Sequence, residues 1–93
     1  MITDMQKTIE QAAKKLKESG AREVYVFGSV AQGILHEGSD IDLAVAGLPP
    51  DRFFYAMGEA GDILGRPLDL IDLDENNAFT RYLKEEGELR RVG

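Results

Sequence analysis

Apolar residues recur at every third or fourth position from the N-terminus up to Gly20, which is the spacing of one face of a helix. Thr3 or Asp4 is placed to cap this helix, and Gly20 is placed to end it. The apolar positions are Met5, Ile9, Ala12, Ala13 and Leu16. The pattern therefore predicts an amphipathic helix that packs through one side.

Three later runs of β-branched, aliphatic and aromatic residues have the length and composition of strands. They cover residues 23–27, 41–46 and 68–73, and glycine or proline punctuates the chain around them. Residues 88–92 are a candidate for a short final strand. The segment 30–39 contains two glycines and little periodicity, so it is predicted to be a loop with at most one helical turn.

Two more helices are predicted, one before and one after the third strand. Asp51 is expected to cap the first, and Gly65 and Pro67 end it. Its apolar positions are Phe53, Phe54, Met57, Ala60, Ile63 and Leu64. The second begins after residues 74–77 and stops at Gly87. Its expected buried positions are Phe79, Tyr82 and Leu83.

The order of elements predicts one domain of the α/β (α+β) class spanning residues 1–93. We expect a small mixed β-sheet with helices packed mainly on one face, and the pattern alone leaves the strand order open. A chain of 93 residues is long enough to bury a single core without a disulfide or a structural metal.

Composition narrows the classes of function. The chain has no cysteine, which excludes disulfides and thiolate zinc sites. Its 17 acidic and 11 basic residues give a net charge of -6, and the bases are scattered, so direct nucleic-acid binding is not expected. The acidic surface suits a basic protein partner or simply keeps the protein soluble. No apolar run approaches the length of a membrane span, so we expect a cytoplasmic protein without membrane contact.

The candidate chemistry lies in the second strand. Asp40 and Asp42 alternate along it and therefore share one side, which continues with the small residues Ala44 and Ala46 and is expected to leave open space above the sheet. Two adjacent carboxylates repel each other unless a hard cation such as Mg²⁺ lies between them. Alternatively, Asp40 only forms a turn after Ser39.

Neighbouring strands supply further candidates. Asp69, in the third strand, is placed to serve a second metal ion or to accept a proton. Gly28 allows a phosphate to approach the backbone, and Ser29 offers a hydroxyl and an amide to its oxygens. Two divalent ions supply about four positive charges, enough to bring a nucleoside triphosphate to three aspartates.

These motifs carry a family resemblance. Gly28-Ser29, ten intervening residues and Asp40-Ile41-Asp42 resemble the signature of the polymerase-beta-like nucleotidyltransferase superfamily, and in particular its smallest branch, the minimal nucleotidyltransferases (MNT). The segments 27–33, 39–45, 64–71 and 82–87 resemble that branch, so the similarity runs from about residue 25 to residue 87.

The resemblance implies a nucleotidyltransferase fold and a site for Mg²⁺, with two ions expected, and for ATP. It assigns catalytic and metal-binding roles to Asp40, Asp42 and Asp69. It assigns nucleotide contacts to Gly28, Ser29 and Gln32, and Arg66 is a further candidate because it precedes the strand that contains Asp69. Many relatives have arginine in place of Gln32, so phosphate binding is expected to be weaker here. Arg66 either contacts phosphate or only forms part of a turn.

The resemblance also implies a biological role. Minimal nucleotidyltransferases of this size are commonly the antitoxins of HEPN ribonuclease toxins, and they transfer AMP from ATP onto a tyrosine of the toxin. A HEPN-type toxin is therefore the expected partner. Formation of a homo-oligomer is left open. Two alternatives also stay open: a catalytically weak antitoxin that acts by occlusion, and a nucleotidyltransferase for a small molecule.

Overall fold

The fold is built on one mixed sheet. The computed structural model describes residues 4–31, 40–87 and 89–92, so Gln32 and most of the predicted loop lie outside the described residues. The strands are β1 (Glu23–Phe27), β2 (Ile41–Ala46), β3 (Leu68–Asp72) and β4 (Arg90–Arg91). Their order in the sheet is β3-β2-β1-β4. β1 pairs antiparallel with β2 and β4, whereas β2 and β3 are parallel.

The described helices are α1 (Asp4–Glu18), α2 (Gly28–Ala31), α3 (Pro50–Leu64) and α4 (Ala78–Glu85). α3 makes the crossover that parallel pairing of β2 and β3 requires. The predicted bounds of the first two strands are confirmed, and the third strand ends one residue earlier than expected. Over the described ranges, no helix is both long and apolar enough to cross a membrane.

The main core lies between one face of the sheet and the two 15-residue helices α1 and α3. Ile41, Leu43 and Val45 alternate along β2 and point into this core, where none of them is exposed. Small residues of both helices, among them Ala12 and Ala60, are fully buried and allow close packing. Lys15 Nζ and Glu59 Oε2, 3.2 Å apart, join α1 to α3 at the surface. The expected mixed sheet with helices mainly on one face is confirmed.

A smaller cluster covers part of the opposite face. Leu83 of α4 packs there with Phe27, Ala44 and Leu73. Ala44 is completely buried, so the open space expected above it is filled by α4. The expectation for Ala44 was wrong. A small side chain in a strand can leave a cavity, but it also allows a helix to pack closely against the sheet, and α4 does so here.

Three details of the helices differ from the sequence predictions. Pro49 is the N-cap of α3, and Asp51 lies inside its first turn without capping it. Phe54 is 77% exposed, because the adjacent Phe53 packs against the core and Phe54 cannot share its direction. In α4 only Leu83 of the three expected positions is buried, and Thr80 takes a buried place instead.

Candidate active site

Three strand ends meet at one edge of the sheet. Since β1 runs antiparallel to β2 and β3 runs parallel to it, the end of β1 lies beside the beginnings of β2 and β3. Phe27 is opposite Asp42, and Asp42 is opposite Asp69. The Ile41 amide donates to the Pro67 carbonyl at 3.0 Å, which holds the two parallel strands in this register. The residues before and at these strand ends form the candidate site.

The carboxylates of Asp42 and Asp69 lie on adjacent strands and on the same face of the sheet. Parallel strands are separated by about 4.8 Å, so paired positions are close neighbours. Asp40 is exposed and lies just before β2, two residues from Asp42. Partial burial raises the pKa of Asp42, and the charges of Asp69 and then of Asp40 raise it further. The charges of the other two carboxylates therefore act on Asp42.

The donor set suits a hard divalent cation. Among the described residues, no three Asp, Glu, His or Cys side chains converge closely enough to hold a metal ion together. Mg²⁺, however, usually takes only one or two protein carboxylates and completes its shell with water and phosphate oxygens. The pair Asp42 and Asp69 offers oxygen ligands of this kind. Burial raises the pKa of Asp42 most, and a cation would offset both this cost and the added repulsion from Asp69 and Asp40. Metal binding by Asp40, Asp42 and Asp69 stays a prediction.

Gly28 lies beside the carboxylate of Asp42 and begins α2 directly after β1. Its φ of +70° lies in the left-handed region, which side chains disfavour. A Cβ at this position would also overlap Asp42 Oδ2. Two independent constraints therefore require glycine here, and Ser29 follows it in α2. The chain therefore passes from β1 into α2 beside the Asp42 carboxylate.

Arg66 lies at the same edge of the sheet. It is partly buried between Gly65, the left-handed C-cap of α3, and Pro67. Pro67 accepts the hydrogen bond from Ile41 and thereby connects this turn to the residue after Asp40. The fold thus brings Gly28, Asp40, Asp42, Arg66 and Asp69 to one region. Gln32, which was also predicted to contact nucleotide, lies outside the described residues.

A cleft next to Gly28 was missed by the sequence analysis. It has a volume of about 280 Å³. Its walls include Phe27, Gly28, Phe79, Tyr82, Glu86 and Gly87. Phe79 and Tyr82 were expected to be buried, but they are 48% and 55% exposed. Their exposure depends on how α4 meets the sheet, which helical spacing in the sequence does not determine.

Comparison with known families gives a clear assignment. The family model described as polymerase beta, nucleotidyltransferase matches residues 7–89. The chain therefore belongs to this nucleotidyltransferase family, as its motifs predicted. A comparison with curated protein sequences gives no match.

Solved structures place the chain beside the smallest members of the family. A protein described provisionally as a minimal nucleotidyltransferase is 25% identical over 91% of this chain and 94% of its own, with a TM-score of 0.72. A chain of a toxin–antitoxin complex with AMP-PNP is 24% identical over 90% of this chain and 72% of its own, with a TM-score of 0.71.

A third similar chain belongs to a complex of a tri-AMPylated Shewanella oneidensis HEPN toxin with its MNT antitoxin. It is 23% identical over 78% of this chain and 59% of its own length, with a TM-score of 0.59. The structural neighbours are therefore minimal nucleotidyltransferases and toxin–antitoxin complexes, as the resemblance implied.

Proposed function

We propose that this protein is a Mg²⁺-dependent nucleotidyltransferase that moves AMP from ATP onto a hydroxyl group of a partner protein, and that it is the antitoxin of a HEPN ribonuclease. The observation that carries this proposal is the pairing of Asp42 with Asp69 beside Gly28, in a chain of the nucleotidyltransferase family. ATP is the expected donor and the cytoplasm, where ATP is supplied, is the expected compartment.

The proposed roles follow from the chemistry of each group. Asp40 and Asp42 would hold metal, and Asp69 would hold metal or accept the proton of the attacking hydroxyl. Bound Mg²⁺ supplies charge neutralisation for the phosphates. The hydroxyl oxygen forms a bond to the α-phosphorus while the bond to the β-phosphate oxygen breaks, and pyrophosphate leaves. Gly28 and Ser29, with Gln32 and Arg66, would contact the phosphates.

The choice of a protein as acceptor is supported by the neighbours. Their complexes pair an antitoxin with a toxin, one of them in the presence of AMP-PNP and another with an AMPylated HEPN toxin.

The test is transfer of label from ATP to a cognate HEPN ribonuclease. We expect label from the α-phosphate to remain on the toxin and label from the γ-phosphate not to, because pyrophosphate leaves. Asp42→Asn should abolish the transfer by removing a metal ligand. The matched control is Asp51→Asn, which removes an exposed carboxylate from the first turn of α3, at the opposite end of this helix from Arg66 and Asp69.

Two results would contradict the proposal. Retention of γ-label would indicate phosphoryl rather than nucleotidyl transfer. Neutralisation of the toxin by Asp42→Asn without any transfer of label would favour the occluding antitoxin, for which Gln32 in place of the usual arginine is a specific reason.

A further inference from the structure

We propose that the outer edge of β3 binds an extended segment of the partner protein, which pairs with β3 as an additional strand and inserts an apolar side chain into a pocket beside the start of α3. Because the segment is assigned to the protein that receives AMP, the inference rests on the proposed function. It adds the way in which that protein is recognised, through backbone hydrogen bonds, one apolar side chain and flanking basic residues.

β3 is an edge strand, and some of its backbone groups point away from the sheet. Among the described strands its neighbour is β2 alone. The Pro67 carbonyl and the Leu73 amide both bond to β2, and backbone groups alternate in direction along a strand, so the amides of Leu70 and Asp72 point outward. The Asp72 carbonyl accepts from the Glu75 amide in the following turn. The outward amides and the Leu70 carbonyl are therefore placed to pair with a further strand.

A small pocket adjoins the C-terminal end of this edge. This anchor pocket is lined by Pro50, Phe53, Phe54, Asp72 and Glu75, and its volume is about 160 Å³. An apolar cavity of about 150 Å³ holds one benzene ring, so the anchor pocket suits a single apolar side chain. Phe53 packs against the core and meets Phe54 edge to face, with ring centroids 5.6 Å apart and planes at 86°. Phe54 is 77% exposed, and an inserted side chain would cover it.

The edge connects the anchor pocket to the carboxylate site. Asp72 lines the pocket, and Asp69 lies three positions earlier on β3. Three strand residues span about 10 Å, and residues three positions apart point to opposite faces of a sheet. A strand added beside β3 can therefore insert an apolar side chain on the face covered by α3 and present a hydroxyl beside Asp69 on the other face. One segment thus combines docking with delivery of the acceptor.

The charges along this edge select its occupant. Asp69, Asp72 and Glu75 are acidic, and none of the described residues that line the anchor pocket is basic. A second copy of this chain would bring the same carboxylates and another net charge of -6 to the interface, so pairing between two copies is disfavoured. A segment of the partner protein with lysine or arginine beside its apolar residue complements the edge.

Calorimetric titration of the full chain with the cognate HEPN ribonuclease tests the anchor pocket. Phe54→Ala should weaken binding roughly tenfold or more, the usual effect of losing a central aromatic residue of an interface. The matched control is Tyr55→Ala, which removes the neighbouring side chain, 73% exposed but outside the pocket, and should bind like the wild type. Both variants should bind ATP with Mg²⁺ like the wild type. Equal affinity of Phe54→Ala and the wild type for the ribonuclease would contradict the anchor pocket.

A second titration tests the charge of the segment. Glu75→Gln removes one carboxylate of the pocket and should weaken binding roughly twofold to fivefold at low salt, with a smaller effect at high salt. Glu10→Gln removes an exposed carboxylate of α1 and controls for the change in net charge. If Glu75→Gln weakens binding no more than Glu10→Gln does, the segment is not recognised through basic residues.

Amide hydrogen exchange, followed by NMR in the free protein and in the complex, tests the pairing itself. Exchange at Leu70 and Asp72 should slow roughly tenfold or more in the complex, because these amides would donate to the added strand. The Ile71 amide points toward β2 and should change much less. Unchanged exchange at Leu70 and Asp72 in the saturated complex would contradict strand addition.

The failures of the two proposals are distinguishable. If the ribonuclease binds and receives AMP while Phe54→Ala and the two edge amides show no effect, the docking surface is wrong and the proposed function stands. If the ribonuclease protects the edge but receives no AMP, the proposed function is contradicted, and so is delivery of the acceptor by this segment. If the wild type does not bind the ribonuclease, both proposals are contradicted. A dimer of the free chain that Phe54→Ala disrupts would assign the edge to a second copy and contradict the partner segment.

Discussion

Asp42 occupies the centre of the site, and its surroundings disfavour its charge when no cation is bound. Partial burial, Asp69 and Asp40 all raise the pKa of its carboxyl group. A structural residue would gain nothing from this position. For a residue that binds a divalent cation, the unfavourable charge in the metal-free protein is offset when the cation binds, because the positive charge of the cation reverses the local electrostatics.

Asp42→Asn should therefore stabilise the metal-free protein near neutral pH. The pKa of Asp42 is higher in the folded protein than in the unfolded chain, so the unfolded chain releases this proton at the lower pH. As the pH rises from the ordinary aspartate pKa of about 4 to the raised value, the folded protein loses stability relative to the unfolded chain. The destabilisation is complete above the raised pKa and absent below the ordinary one.

Thermal unfolding in buffer with a chelator measures this effect. The melting temperature of Asp42→Asn should exceed that of the wild type near neutral pH. The advantage should shrink as the pH falls through the raised pKa of Asp42, and it should vanish below about pH 4. Asp62→Asn controls for the general effect of removing one negative charge from a protein with a net charge of -6. Equal stability of Asp42→Asn and the wild type at neutral pH would show that burial and the neighbouring carboxylates do not disfavour the charged form of Asp42.

Gly28 is the second residue of the site at which a substitution is expected to be unfavourable. Gly28→Ala should destabilise the fold by about 1–2 kcal/mol from the positive φ alone, and by more if the Cβ displaces the Asp42 carboxylate. The nucleotide affinity should fall for the same reason.

Gly58 provides the matched control. It lies within α3, and a Cβ there would meet nothing within 4 Å. Gly58→Ala should stabilise the protein by about 0.5–1 kcal/mol, the usual gain in a helix. Denaturant unfolding of both variants measures the two effects, and a neutral or stabilising effect of Gly28→Ala would contradict the described contact.

At the scale of elements, α4 depends on its first turn. Asn77 Oδ1 accepts from the Thr80 amide at 2.9 Å, and Thr80 Oγ1 accepts from the Asn77 amide at 3.2 Å, which forms a capping box. The Thr80 hydroxyl also donates to the Glu75 carbonyl at 2.6 Å, and the residue is only 1% exposed. The start of α4 is therefore fixed by one buried hydroxyl.

Thr80→Val keeps the shape of the side chain and removes this hydroxyl. We expect a loss of about 1–3 kcal/mol in the free energy of unfolding, because the Asn77 amide and the Glu75 carbonyl lose their partner. Thr8→Val is the control, since the Thr8 hydroxyl bonds to the Asp4 carbonyl on an exposed surface, and it should change stability by less than about 0.5 kcal/mol. Similar losses from both substitutions would show that the capping box contributes little.

The elements also show what could be predicted from the sequence. The bounds of β1 and β2 followed from runs of strand-forming residues that end at Gly28 and Gly47. The exposure of Phe79 and the burial of Thr80 could not be predicted, because they depend on how α4 meets the sheet rather than on the helical period. An apolar residue at helical spacing indicates only which positions share a side of the helix.

At the scale of the whole molecule, the site is a product of the strand order. The order β3-β2-β1-β4 places Asp42 between Phe27 and Asp69, and the crossover through α3 makes the two aspartates neighbours. The spacing of residues predicted that Asp40 and Asp42 share a side, but their proximity to Asp69 came only from the family resemblance. The pattern of strands does not determine which of them pair.

The net charge of -6 means that the protein repels a triphosphate unless cations are bound between them. Nucleotide binding at the three aspartates should therefore depend on Mg²⁺. The most direct measurement is calorimetric binding of ATP with and without Mg²⁺, on the wild type and on the double variant Asp40→Asn/Asp42→Asn. We predict binding that requires Mg²⁺ and that the double variant loses. Binding of ATP by the double variant as tightly as by the wild type, or equal binding without Mg²⁺, would contradict the carboxylate site.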